Sequence, residues 1–457
     1  MRKSVSGERL TTHGIDGGSL STAQLVRPVP AAEDTAGGVL HRVGQLRHSS
    51  PGRLQLTLAV LLTLGLLTGL VAGLTAAAAA SGTDDLGDRA QPLLVEAETI
   101  YSRLADADTT AAQAFLAGGL EPAALTARYE ADLKQVNEAL TAAARRTPED
   151  SPAAASIRTL SSGVTDYAAR VASARANNRQ GLPIGASYLS SASALNRETL
   201  QPQAQELFTD AQAEVDAGYG DARSSWWTAL LVILLLALLV ALLLAQRSLS
   251  RKTHRTFNVP LVAATLVTAL LAVGVGAALS AQRSHLAQAD EQGSTPVALL
   301  AEARIAALNE RGFEALTLVG RAGEPDPAAE TTFGSTLDGL LGQARTSVDG
   351  DASDSVRRAI AAQSQYVRAH RNVRELDNNG DYDGAVALAI GTDTSATFTK
   401  VTDEIGAGLE DRKSVFTSEI DDAGRGLGSL TVLGPLLALL ICALAYAGIR
   451  ARLEEYR

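Results

Sequence analysis

Four apolar runs, Leu54–Ala80, Trp226–Ala245, Val259–Leu279 and Leu427–Ile449, contain no Asp, Glu, Lys, Arg or His, and only Cys442 and Tyr446 among them can ionise at all. No other feature limits the fold as strongly. An uncharged run of roughly 18 or more residues is long enough to cross a bilayer as a helix. The 457-residue chain therefore divides into spans 54–80, 226–246, 257–280 and 427–449, separated by 81–225, 247–256 and 281–426 and flanked by 1–53 and 450–457. The first run ends in AAAAASG, which resembles a signal-peptidase site. Its apolar stretch is too long for a signal h-region, and residues 1–53 precede it, so a retained span is expected.

Charge sets the expected orientation. Residues 1–53 carry seven Arg/Lys, Arg247–Thr256 four with no acid, and the tail three. Residues 81–224 and 281–426 carry net charges of −8 and −10. Short basic segments beside spans stay in the cytoplasm, whereas long domains cross whatever their charge. Both ends and the loop are thus placed in the cytoplasm, and the two acidic regions outside, in a multi-pass protein of the plasma membrane. Acidic regions argue against nucleic-acid binding, which needs a basic face. The one cysteine lies in a span, which leaves the outer regions without disulfides or thiolate metal sites.

Residues 81–224 read as helix. Leu93, Ala97, Ile100, Leu104, Ala111 and Phe115 repeat at three-or-four spacing and form one apolar face. Breaks at Gly118-Gly119, Pro148–Pro152 and Gly181–Pro183 leave helices at about 91–117, 121–146, 153–179 and 186–223. Strand-type alternation is lacking. The second region follows the same plan: Pro92, Tyr167, Asn177-Asn178 and Gly181 are answered about 200 residues later by Pro296, Tyr366, Asn378-Asn379 and Gly380. The expected fold is an all-α membrane protein, with four transmembrane helices and two extracytoplasmic four-helix bundles in tandem repeat. Each unit holds an even number of spans, so the copies are parallel, unlike the inverted repeats of many transporters. Residues 1–53 read as a disordered basic arm.

Gly65, Gly69 and Gly73 share one face of the first span, the small-residue pattern that admits a neighbouring backbone. Pro435 interrupts the fourth span and is expected to kink it. No catalytic, cofactor-binding or metal constellation is present. Asp377–Gly384, DNNGDYDG, resembles a calcium loop, but a frame starting at Asn379 puts Ile390 where a bidentate Glu is required; a turn is expected instead. Arg103, Asp106 and Asp108, with Arg304, Asn309, Glu310 and Arg311 in the second region, are the candidates for a ligand between helices. His285 and His370 stand isolated in the sequence. Arg251, Lys252 and Arg255 form a cytoplasmic surface suited to anionic lipid headgroups or a docking partner.

The segments LADADTTAAQAFLAGG and ANNRQGLPIGASYLSSAS resemble, in style, the sensing half of chemoreceptors and sensor kinases. Over nearly the whole chain the basic arm, four spans, two helical regions and the ANNRQG…PIGASYL block at 176–189 are similar to the actinobacterial GlnX family. That resemblance implies an amino-acid-binding lipoprotein, GlnH, as the outer partner and the soluble Ser/Thr protein kinase G as the inner one. It supplies no functional residue to carry over. The expectation is a non-enzymatic transmembrane relay without cofactor, passing a solute-binding-protein signal to a cytoplasmic kinase; a homo-oligomer is compatible with it. The competing expectations are a receptor that binds a small molecule directly and a structural envelope protein.

Overall fold

The computed structural model describes residues 50–118, 121–223, 226–253, 258–320 and 327–453. The basic arm up to residue 49, Arg255 of the loop and the last four residues of the tail lie outside them. Contacts divide the chain into two compact units, Met1–Leu56 and Thr57–Arg457, and the packed helices belong to the second. Among the described residues the chain is almost wholly helical, with no strand.

Four helices are long and apolar enough to cross a membrane: α1 (Ser50–Asp85), α7 (Trp226–Thr253), α8 (Val259–Gln288) and α14 (Leu427–Leu453). Leu66 and Leu70 of α1, Ile233 and Leu236 of α7, Leu266 and Leu270 of α8, and Val432 and Leu436 of α14 are all exposed. Soluble proteins do not carry apolar faces this extensive, so lipid is the solvent that suits them.

Within the spans, α8 packs between α7 and α14, and α14 also meets the glycine face of α1. A Cβ added at Gly65 would lie 2.6 Å from Cys442 Sγ, one at Gly69 2.5 Å from Ala438 Cβ, and one at Gly73 3.1 Å from Pro435 Cγ. Glycine is needed along this stripe because the partner occupies the space of a side chain. Side-chain amides fasten the span ends. Gln246 donates to Leu261 O and Thr265 Oγ1 (3.0 and 2.6 Å), Asn258 to Gly448 O (2.8 Å), and Gln282 to Thr83 Oγ1 (3.1 Å).

Two of these four helices run on beyond their apolar stretch. A π-helical turn, Leu86–Ala90, carries α1 directly into α2 (Gln91–Leu116), and Ala289–Ser294 carries α8 into α9 (Thr295–Gly320). Pro92 closely follows the first of these turns, where the helix's regular hydrogen-bond ladder is already shifted. The π turn widens the helix locally. At the second one, a Cβ on Gly293 would stand 2.9 Å from the Phe416 Cα, so only glycine fits.

The first helical region continues with α3 (Ala123–Arg146), α4 (Pro152–Arg179), α5 (Ile184–Leu195), a π-helical turn at Asn196–Leu200, and α6 (Gln201–Arg223). The second continues with α10 (Pro327–Ser347), α11 (Gly350–Asn378), α12 (Tyr382–Ala389) and α13 (Thr392–Gly424). The α4–α5 and α11–α12 corners close in the same way. Gly181 and Gly380 take φ of 67° and 82°, and the next N–H reaches back to Asn177 O and Leu376 O, both at 3.0 Å. In the second corner the Asp381 carboxylate caps the Gly384 N–H, so DNNGDYDG forms a turn.

α2 packs on α3, α6 and α9, while α9 packs on α2, α10 and α13. A single apolar core, from Leu86 to Ala423, therefore runs through both regions. At its centre Thr109 donates to the Leu308 carbonyl of α9 (2.8 Å). A Cβ on Gly312 would lie 3.0 Å from that hydroxyl. Lys413 of α13 reaches Glu98 of α2 at 2.9 Å and tightens the same seam.

Gly69→Val should lower the thermal midpoint of the detergent-purified protein. Overpacking a fitted site costs about 1–3 kcal/mol, and Ala438 leaves no room on α14. Gly274→Val, whose added Cβ meets nothing within 4 Å, is the control and should leave the midpoint unchanged.

Candidate functional site

Each region buries a carboxylate of its first helix against a tyrosine of its third. In the first, Asp108 of α2 is 3% exposed and accepts hydrogen bonds from Ser193 (2.7 Å) and Tyr167 (3.4 Å). In the second, Glu314 of α9 accepts from Tyr366, and Arg311 Nη1 lies 3.0 Å away. His370 Nδ1 is 3.1 Å from the other Glu314 oxygen. Arg311 also donates to Ala389 O (2.6 Å) and lies over the Tyr366 and Phe398 rings at 5.6 and 5.7 Å.

Burial pushes the Asp108 carboxyl above its ordinary range, against the hydrogen bond from Ser193. Burial alone would raise Glu314 as well, but the charge of Arg311 and contact with His370 hold it down to about 2. The two carboxylates thus answer burial differently: one is met mainly by hydroxyls, the other by a cation. His285 and His370, isolated in the sequence, each face a glutamate in the fold; His285 Nδ1 stands 2.7 Å from Glu419.

A third cluster lies on the seam. Asp106, 2% exposed, accepts from Arg128 Nη2 of α3 at 2.7 and 3.0 Å. Arg103 donates to Asp132 (3.2 Å). Beside this cluster is a cavity of about 310 Å³ between the two regions. Asp106, Thr110 and Gln113 of α2 and Arg128 of α3 line one side; Arg311, Ser395, Phe398 and Thr399 line the other.

Of the residues singled out from sequence, Asp106 lines this cavity from the first region and Arg311 from the second. Arg103 stands behind, on Asp132, and Asp108 points into the first region. Glu310 accepts from Gln363 Nε2 at 3.3 Å. Arg304 is half-buried on α9, with its Nε unmet among the described residues. Gly65, Gly69, Gly73 and Pro435 gather at the α1–α14 contact, remote in sequence from the cavity. Arg251 and Lys252 fall in the last turn of α7. Arg128, Ser395 and Thr399 carried no distinguishing signal, because one of many exposed-looking charges or hydroxyls on an amphipathic helix becomes a wall residue only through packing.

Residues 82–220 match the family described as an actinobacterial sensor domain, from the end of α1 to the last turns of α6. No curated protein and no solved structure matches the chain. The matched segment holds Asp106, Asp108 and Arg128, and its family points to a sensing or signalling role.

Two carboxyls outside the spans give a pH signature. Burial raises Glu310 from its ordinary 4.5 to about 7. Burial, then the neighbouring Asp106 charge, also pushes Asp132 well upward. A raised folded-state value means the folded chain binds more protons than the unfolded one, so stability falls as pH rises between about 4.5 and about 7. Thermal unfolding across that window should show this loss, and the Glu310→Gln/Asp132→Asn double variant should show a shallower one. Glu314 acts in the opposite sense: its contribution is complete above its ordinary 4.5 and is lost as pH falls from there through about 2.

Proposed function

We propose that this protein is a non-enzymatic transmembrane sensor that relays an extracytoplasmic amino-acid signal, delivered by a solute-binding lipoprotein, to a cytoplasmic Ser/Thr kinase. The observation that carries the reading is the sensor-domain match over residues 82–220, whose first helix runs without interruption into an apolar helix. A displacement of α2 on α9 is transmitted to α1 and α8 as one body, because no flexible joint intervenes. For this to be a signal, the two packings of the seam must bind the outer partner unequally. The paired regions fit a tandem duplication, with matching corners at Gly181 and Gly380 and matching π-helical turns after α1 and α8.

In this reading the acidic regions lie outside, both termini lie in the cytoplasm, and the basic segments meet anionic lipid and the kinase. Arg251, Lys252 and Arg255 then form the output surface between α7 and α8. Direct reception of a small molecule is the second reading, favoured by the cavity at the seam.

Crosslinked co-purification of the full chain should recover a solute-binding lipoprotein and a Ser/Thr kinase; recovery of neither overturns the relay. Replacing Arg251, Lys252 and Arg255 by Gln should abolish recovery of the kinase while leaving the lipoprotein bound. Loss of both would place the effect on insertion instead.

A further inference from the structure

The seam cavity has the makings of a ligand site, which a packing fault would not have. Voids in apolar cores are lined by hydrocarbon and stay dry. Here hydroxyls of Thr110, Ser395 and Thr399 and the amide of Gln113 face one another across two halves of the chain. At about 310 Å³ it stands at the small end of the ~300–1,000 Å³ range of ligand pockets.

Its charged groups point to an acceptor-bearing ligand. Arg311 is 2% exposed, and its Nη atoms are taken by Glu314, Tyr366 and Ala389 O. Its Nε–H is buried and finds no acceptor among the described residues. A buried guanidinium N–H left unmet has lost its hydration with nothing in return, so an acceptor arriving there is favoured. Arg128, on the opposite wall, uses Nη2 on Asp106. The Phe398 ring supplies an apolar surface on the Arg311 side.

We propose that this cavity binds a small organic carboxylate, held by Arg311 Nε–H and Arg128, with its carbon chain against Phe398. A guanidinium presents N–H donors in the plane that carboxylate oxygens prefer. Asp106 keeps lone pairs beyond those that Arg128 engages, so an ammonium group on the same molecule is accommodated and an α-amino acid is the favoured member of the class. The site joins α2 and α3 to α9 and α13, and an occupant bridges the two regions. The inference deepens the sensing reading by naming what the seam takes.

The test uses the full chain in detergent or nanodiscs, with thermal shift and calorimetric titration against L-alanine, L-glutamate and succinate, and glycerol as the neutral control. At least one carboxylate should raise the unfolding midpoint and glycerol should not. Response to the amino acids alone would assign the ammonium to Asp106, whereas response to succinate as well would assign binding to the carboxylate by itself; both outcomes support the site. Ser395→Phe fills the cavity from a half-buried position, and Arg311→Lys keeps the charge facing Glu314 while removing the Nε–H. Each should weaken binding by at least about tenfold, which is about 1.4 kcal/mol, with helicity and elution volume unchanged. If Arg311→Lys does not fold, Ser395→Phe decides alone. No shift with any of the three carboxylates, or a shift that survives Ser395→Phe, overturns the proposal. Ligand binding without partner recovery would leave the site standing and remove the relay; partner recovery without ligand binding would do the reverse.

Discussion

The backbones of α2 and α9 come close enough at Thr109 and Gly312 for a side-chain hydroxyl to reach a main-chain carbonyl. Everything else in the architecture depends on that approach. It merges two helical regions into one core, and it brings Asp106 and Arg311 to the walls of a common cavity. It also couples two spans, because each of these helices is the continuation of one. A side chain at position 312 would press on the Thr109 hydroxyl and disturb the bond that it makes across the seam.

The polar clusters around this seam are unusual in their depth. Removing one partner of a buried ion pair leaves an uncompensated charge and costs on the order of 3–5 kcal/mol. Arg311, Glu314 and Tyr366 are therefore committed to one arrangement, with the Arg311 Nε–H left over. Conformational specificity is the benefit best attested for such buried groups. In the first region the equivalent acid, Asp108, is answered by the hydroxyls of Ser193 and Tyr167, a weaker and more adaptable set. The two halves are similar in plan and answer their buried acid differently.

Much of this was legible in the sequence, for identifiable reasons. Uncharged length marks a span regardless of its neighbours, and the helices follow from breaks at Gly118, Pro148 and Gly181 that no packing can override. The ligand candidates read less well. Asp106, Asp108 and Glu310 lie within a few residues of the cavity, yet only the close α2–α9 crossing decides which of them face it. Periodicity at 3.6 residues gives the apolar face of one helix and not the partner that meets its other side. His370 shows the same limit: α11 holds no other histidine and looks empty, while Glu314 arrives from an element more than fifty residues away. The shared core was least legible of all, because tandem regions with complete apolar faces can close on themselves as readily as on each other.

One detail of the spans has an experimental meaning of its own. The chain has a single cysteine, and its sulfur fills the notch that Gly65 leaves on α1. A thiol-reactive label can enter only when these two helices part. The rate at which Cys442 reacts is therefore a clock for the opening of the α1–α14 seam, read from the unaltered protein with no engineered residue. Once attached, the label occupies the notch as a wedge, so the same chemistry that times the opening also holds it open.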